Sequence, residues 1–121
     1  MIGYVTLGTN DMVKASKFYD TLLGDLGAKR LMDMGEFIAW GIPGQPMLSI
    51  TKPFDGKTAT VGNGVMVALA VDSRSKVDAI HKKALELGAK DEGAVGPRGD
   101  TFYAGYFRDL DGNKLNVFFM G

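Results

Sequence analysis

Apolar and polar residues along this chain follow two rhythms, and the rhythms take turns. Tyr4–Leu7 alternates with period two, the signature of a strand with one buried face. From about Asp11 to Leu23 the period lengthens, and Met12, Ala15, Tyr19, Leu22 and Leu26 fall on one helical face. Asn10 or Asp11 supplies a cap for this helix, and Gly24 and Gly27 supply stops. Strands are expected over Ala28–Asp33, Phe37–Gly41 and Pro46–Thr51, the last two joined at Pro43-Gly44. Then the pattern starts again. Val65–Val71 reads as a strand, and Ser73–Leu87 as a helix striped by Val77, Ile80, Ala84 and Leu87, capped by Asp72 or Ser73 and ended by Gly88. Further strands are expected over Ala89–Glu92, Tyr103–Arg108 and Lys114–Met120, with a turn at Asp111-Gly112-Asn113. Gly93–Asp100 reads as a glycine-rich loop long enough to cover a site.

The sequence repeats with the pattern. Leu-Gly-Ala-Lys occurs at Leu26–Lys29 and again at Leu87–Lys90, each time after a strand, a cap and a helix. Such self-similarity at half the chain length means one supersecondary unit built twice. The expected fold is α+β: two βαβββ modules, about 1–52 and 64–121, with a linker at about 53–63, forming one domain over 1–121. The modules would make a curled mixed sheet around a cavity, with the helices packed outside.

Alternate positions on the strands sort into two faces. Val5, Leu7, Leu48, Ile50, Val65, Val67, Leu69, Val71, Leu115, Val117 and Phe119 are all apolar, so the helices should pack there. The other set mixes Tyr4, Thr6, Met47, Ser49, Met66, Ala68, Asn116 and Phe118. Polar, small and flexible side chains together suit a ligand cavity, and methionine and phenylalanine are poor residues to leave facing solvent.

Composition removes several functions. Lys and Arg number 14 and Asp and Glu number 14, so no net field draws in nucleic acid or an anionic membrane. The absence of cysteine excludes disulfides, zinc–thiolate centres and thiol nucleophiles. Without a basic-then-apolar N-terminus or a long apolar run, a cytoplasmic protein is expected.

The paired modules, the opening Tyr4-Val5-Thr6-Leu7-Gly8 with Asn10-Asp11, Phe18-Tyr19 on the first helix, and Tyr103-Ala104-Gly105-Tyr106-Phe107-Arg108-Asp109-Leu110-Asp111-Gly112-Asn113-Lys114-Leu115 together resemble the vicinal oxygen chelate superfamily, which contains glyoxalase I, bleomycin-resistance and fosfomycin-resistance proteins, and extradiol dioxygenases. The resemblance covers the whole chain. It implies eight strands curled around a pocket, completed by homodimerisation. Its metal-using members hold a divalent ion with His and Glu from four strands. The matching positions here are Tyr4, Ser49, Met66 and Asn116, none an imidazole or carboxylate, so neither a metal nor another cofactor is expected.

The remaining candidates have plainer readings beside the functional ones. His81, the only histidine, is read as a partly solvated helix residue. Asp109-Leu110-Asp111-Gly112 lacks the later ligands of a calcium loop and fits an Asx-capped turn. Arg98-Gly99-Asp100 reads as an exposed loop, with Arg98 able to reach over a pocket mouth. Arg108 suits an anionic substrate or a salt bridge to Asp109 or the turn. Of the aromatics Phe37, Trp40, Tyr103, Tyr106 and Phe107, two are expected to touch ligand.

The expected function is metal-free small-molecule binding of the sequestering or resistance type, by a homodimer whose cavities are completed by modules of different chains. The expected pocket comprises Tyr4, Thr6, Trp40, Met47, Ser49, Met66, Tyr103, Arg108, Asn116 and Phe118. The alternatives are a divalent-metal lyase or isomerase of the glyoxalase I type and a metal-free enzyme with Tyr4 as acid–base group; a phenol doing that work needs a pKa well below its usual ~10.

Overall fold

The computed structural model describes all residues, 1–121. It contains ten elements in the order β1 (Tyr4–Gly8), α1 (Met12–Gly24), β2 (Lys29–Asp33), β3 (Phe37–Gly41), β4 (Met47–Thr51), β5 (Val67–Ala70), α2 (Arg74–Glu86), β6 (Lys90–Pro97), β7 (Phe102–Arg108) and β8 (Lys114–Met120). The chain divides into compact units over Met1–Val61 and Gly62–Gly121. Each is βαβββ with a four-stranded mixed sheet, ordered β1-β4-β3-β2 in the first and β5-β8-β7-β6 in the second. The fold is α+β, as the two rhythms require.

Both helices start and stop by the same chemistry. The Asp11 side chain accepts the Lys14 amide at 3.0 Å, and the Ser73 hydroxyl accepts the Lys76 amide at 3.2 Å; each satisfies a first-turn donor the helix leaves unpaired. At the other end, Ala28 donates to the Leu23 carbonyl and Ala89 to the Ala84 carbonyl, both at 3.0 Å. These closures need a left-handed residue just before the donor, and Gly27 (φ 84°) and Gly88 (φ 103°) supply it. The repeated Leu-Gly-Ala-Lys is thus the helix stop itself. Gly24 is the last residue of α1 and not its terminator.

In the first unit, Ala15, Phe18, Tyr19, Leu22 and Leu23 of α1 are buried, as are Leu7, Ile38, Trp40, Leu48 and Ile50 of the sheet. In the second, Val77, Ile80, His81 and Ala84 of α2 are buried with Phe107, Leu115 and Val117. His81 corrects the sequence reading: it is 6% exposed, and its Nε2 lies 3.1 Å from the Tyr106 carbonyl and 3.4 Å from an Asp91 carboxylate oxygen. Room for it comes from β7, because a Cβ added at Gly105 would sit 2.8 Å from the imidazole.

Two further expectations change. β6 continues through most of the segment expected as a loop, reaching Pro97, with pairing shifts between Asp91 and Gly93 and between Gly93 and Gly96. Glycines there accommodate bulges, which a composition-based reading takes for a loop. β5 begins at Val67, two residues later than expected. Residues 52–66 contain no strand or helix, yet Asn10 ties part of this stretch to the first unit, accepting from the Ala59 amide (2.7 Å) and donating to its carbonyl (3.1 Å).

Leu115, fully buried under α2, tests this packing. Leu115→Ala is expected to lower unfolding free energy by about 3 kcal/mol through lost burial and the cavity left behind, measured by urea denaturation.

Candidate functional site

Strand register decides which residues share a surface. In the first sheet Tyr4 pairs with Met47 and Thr6 with Ser49, and Ser49 pairs on its other side with Ala39. These side chains stand on the face away from α1. In the second sheet Ala68 pairs with Asn116, which pairs in turn with Tyr106; Phe118 lies between Ala70 and Ala104, and Lys114 beside Arg108. These stand on the face away from α2. The structure therefore brings Tyr4, Thr6, Met47 and Ser49 together on one far face, and Arg108, Asn116 and Phe118 on the other. Met66 directly precedes β5 and is 40% exposed.

Trp40 and Tyr103 belong to the opposite faces. Trp40 pairs with Leu48 and is buried on the helix side, its Nε1 donating to an Asp20 carboxylate oxygen at 2.8 Å and its ring 5.7 Å from that of Tyr19. Arg30 closes the cluster with two hydrogen bonds to Asp20, of 2.8 and 2.7 Å, and one of 2.8 Å to Asp33. Tyr103 pairs with Phe119 and reaches α2, where its hydroxyl donates to the Asp78 carboxylate at 2.6 Å and the Arg74 guanidinium lies 5.1 Å from its ring centre. That hydrogen bond holds the Tyr103 proton and raises its pKa above the ordinary phenol value. Residue type alone suits both aromatics to the pocket; the pairing register turns both toward the helices.

The two far faces differ in how their central polar residues are satisfied. Ser49 donates to the Val5 carbonyl at 2.9 Å and lies 2.7 Å from the Thr6 hydroxyl. Its one proton is spent on the carbonyl, so Thr6 is the donor in the second contact. Asn116 is only 2% exposed, and its Oδ1 is shut from solvent with no hydrogen-bond partner. Across β7 from it, the Tyr106 ring has the Arg98 guanidinium at 5.5 Å and the Lys114 ammonium at 5.6 Å. Arg98 donates to the carbonyls of Gly96 (2.9 Å) and Ala94 (2.7 Å). Sequence reading missed Lys114, although its place two residues before Asn116 on a strand was the available signal.

Arg108 is committed elsewhere: it donates to the Gly112 carbonyl and to the Glu92 carboxylate, each at 3.1 Å. The guanidinium keeps the Glu92 carboxyl below its ordinary pKa. The neighbouring turn is Asx-capped, with one Asp109 oxygen accepting the amides of Asp111 and Asn113 at 2.9 Å each and the other accepting from the Asn113 side chain at 3.0 Å. Tyr4, the catalytic candidate, is 57% exposed with its ring edge-on to Phe37. A hollow of about 380 Å³ lies elsewhere in the first unit, among Thr9, Asn10, Met12, Lys52, Gly56 and Lys57; sequence reading named none of these for a site.

Tyr4, Ser49, Met66 and Asn116 do not fit a divalent metal. Ser49 spends its proton within the protein, Asn116 offers one neutral oxygen, and Met66 a thioether suited to soft ions. No group of three or more His, Cys, Asp or Glu side chains is placed to hold an ion. No helix is long and apolar enough to cross a membrane.

The sequence profile of the Glyoxalase/Bleomycin resistance protein/Dioxygenase superfamily matches residues 1–117. The chain belongs to this superfamily. A glyoxalase/bleomycin resistance protein from Albidiferax ferrireducens T118 is 35% identical, with a TM-score of 0.90 over 98% of this chain and 97% of that one. Two more distant superfamily-like folds come from Burkholderia phytofirmans PsJN (a glyoxalase/bleomycin resistance protein/dioxygenase family enzyme; 18% identity, TM-score 0.77, 96% and 95% coverage) and Agrobacterium tumefaciens (a lactoylglutathione lyase; 20%, 0.71, 98% and 92%). No curated protein matches the chain. As a superfamily member it has the paired βαβββ architecture, with no charged donor at Tyr4, Ser49, Met66 or Asn116.

The Asp20–Arg30–Trp40 cluster gives a pH test. Hydrogen bonding from Arg30, with a smaller part from Trp40, lowers the Asp20 pKa. A carboxylate with a lowered folded pKa adds stability above its unfolded pKa of about 4, and that stability is lost as pH falls through the folded value. Urea denaturation from pH 7 to pH 2 should show wild-type stability falling in acid. Asp20→Asn should start lower at neutral pH and fall less steeply, Asp33 retaining part of the slope.

Proposed function

We propose that this superfamily member is a metal-free small-molecule-binding protein of the sequestering or resistance type, working in the cytoplasm as a homodimer. One observation carries the reading: in each unit the sheet face turned from the helix mixes apolar and polar groups, Tyr4 and Met47 with Thr6 and Ser49 in the first and Phe118 with Asn116 in the second. Large flexible apolar groups among a few polar ones suit an amphipathic or aromatic ligand. Met66 directly precedes β5 in the second unit and is 40% exposed. The donor set tells against a lyase or isomerase of the glyoxalase I type. Tyr4 lies in solvent without a hydrogen-bonded base, which tells against acid–base chemistry there.

The homodimer rests on exposed apolar surface. Ile2, Tyr4, Met32, Met34, Val65, Met66 and Met120 are each at least 40% exposed, apolar surface that a second copy of the chain would cover. Light scattering on a size-exclusion column should give twice the chain mass of 13.0 kDa at micromolar concentration; the monomer mass would refute it.

Binding is tested with an anilinonaphthalene sulfonate dye. The folded protein should bind it saturably, and Met66→Trp should block binding with an unchanged Tm because the ring fills space without disturbing the core. Absence of dye binding by the folded protein, or dye binding unaffected by Met66→Trp, overturns the reading.

A further inference from the structure

The second sheet holds a buried polar atom that the fold could have satisfied and does not. A buried acceptor without a donor gives up its water and gains nothing in return, so it calls for an explanation. The first sheet shows the alternative. There Thr6 pairs with Ser49 and gives it a hydrogen bond; at the matching place Ala68 pairs with Asn116 and has none to give.

The surroundings of Asn116 carry positive charge. Arg98 and Lys114 both lie over the Tyr106 ring, and neither enters an ion pair. The nearby Glu92 carboxylate is hydrogen-bonded to Arg108. Lys114 and Asn116 project from the same face two residues apart, about 6.8 Å along the strand, close to the length of a benzene ring substituted at both ends. Ala68, exposed and paired with Asn116, leaves an open apolar edge beside the amide. The amide oxygen itself is reached by rotation about χ2, a broad torsion in asparagine.

We propose that this face of the second sheet binds a flat carboxylic acid bearing a hydroxyl or N–H donor at its far end. The carboxylate sits at Lys114 and Arg98, the ring spans the stretch of β8 from Lys114 to Asn116 with Ala68 at its edge, and the donor satisfies Asn116 Oδ1. This deepens the binding reading above and rests on it. Ala68 is the specificity element, because a hydroxyl there would take the hydrogen bond the ligand makes.

The test compares para-hydroxybenzoate, benzoate and phenol by isothermal titration calorimetry on the whole protein. Para-hydroxybenzoate should bind about tenfold more tightly than either relative, each lacking one interaction. Ala68→Thr should raise Tm and weaken para-hydroxybenzoate about tenfold, erasing its advantage over benzoate. Lys114→Gln should weaken both acids and spare phenol. Asn116→Leu should raise Tm and abolish the preference for the hydroxyl. Equal affinity for the two acids overturns the proposal, as does an Ala68→Thr variant that binds para-hydroxybenzoate like wild type; Asn116 is then met by an internal water. If the dye binds and Met66→Trp blocks it while the acids are not distinguished, this proposal alone fails. If neither dye nor acids bind, the small-molecule reading fails first and takes this one with it.

Discussion

A single backbone torsion, set twice, governs the architecture. Gly27 and Gly88 take left-handed φ values directly after the helices, and the chain there leaves the helix for the sheet edge opposite the one where the unit began. Each helix therefore lies over the three strands that follow it. The two remaining strands fill the gap, and the last runs parallel to the first. One face is buried and the other has no helix of its own unit to cover it. The surface proposed for binding is a by-product of where the helix stops.

Much of this was legible because the signals are local. Period, cap and glycine stop all act within a few residues, so helix bounds, the βαβββ order and the Asx turn could be read directly. Alternation also assigned Leu48, Ile50, Leu115 and Val117 to the core and Ser49 and Asn116 away from the helices. What failed depended on partners distant in sequence. Trp40 and Tyr103 are apolar enough for either face, and only pairing with Leu48 and Phe119 turns them to the helices. His81 is buried because Gly105, on another element, makes room. β6 was hidden because bulge glycines and loop glycines look alike in a sequence. The orphaned amide of Asn116 was visible only once Ala68 was known to be its neighbour.

The two units solve one packing problem with different residues. Tyr19 meets Trp40 where His81 meets Phe107, an aromatic on the helix against an aromatic on the third strand in both cases. In the first unit Asp20 and Arg30 complete the contact through side chains. In the second, His81 finds the Tyr106 carbonyl and Asp91. Equivalent positions tolerated this exchange because each keeps volume and satisfies its polar atoms. Ala68 and Asn116 break the rule, which singles them out from ordinary drift.

The sheet edges are unequally defended. β2 ends one sheet with Lys29, Arg30 and Asp33, and β6 ends the other with Lys90, Asp91, Glu92, two register shifts and Pro97; charge, bulges and proline all discourage a stray strand. β1 and β5, at the opposite edges, carry no charged residue at all. An uncharged edge strand is a template on which another chain can lay a strand of its own, so any aggregate this fold forms grows from β1 and β5 and not from the guarded edges.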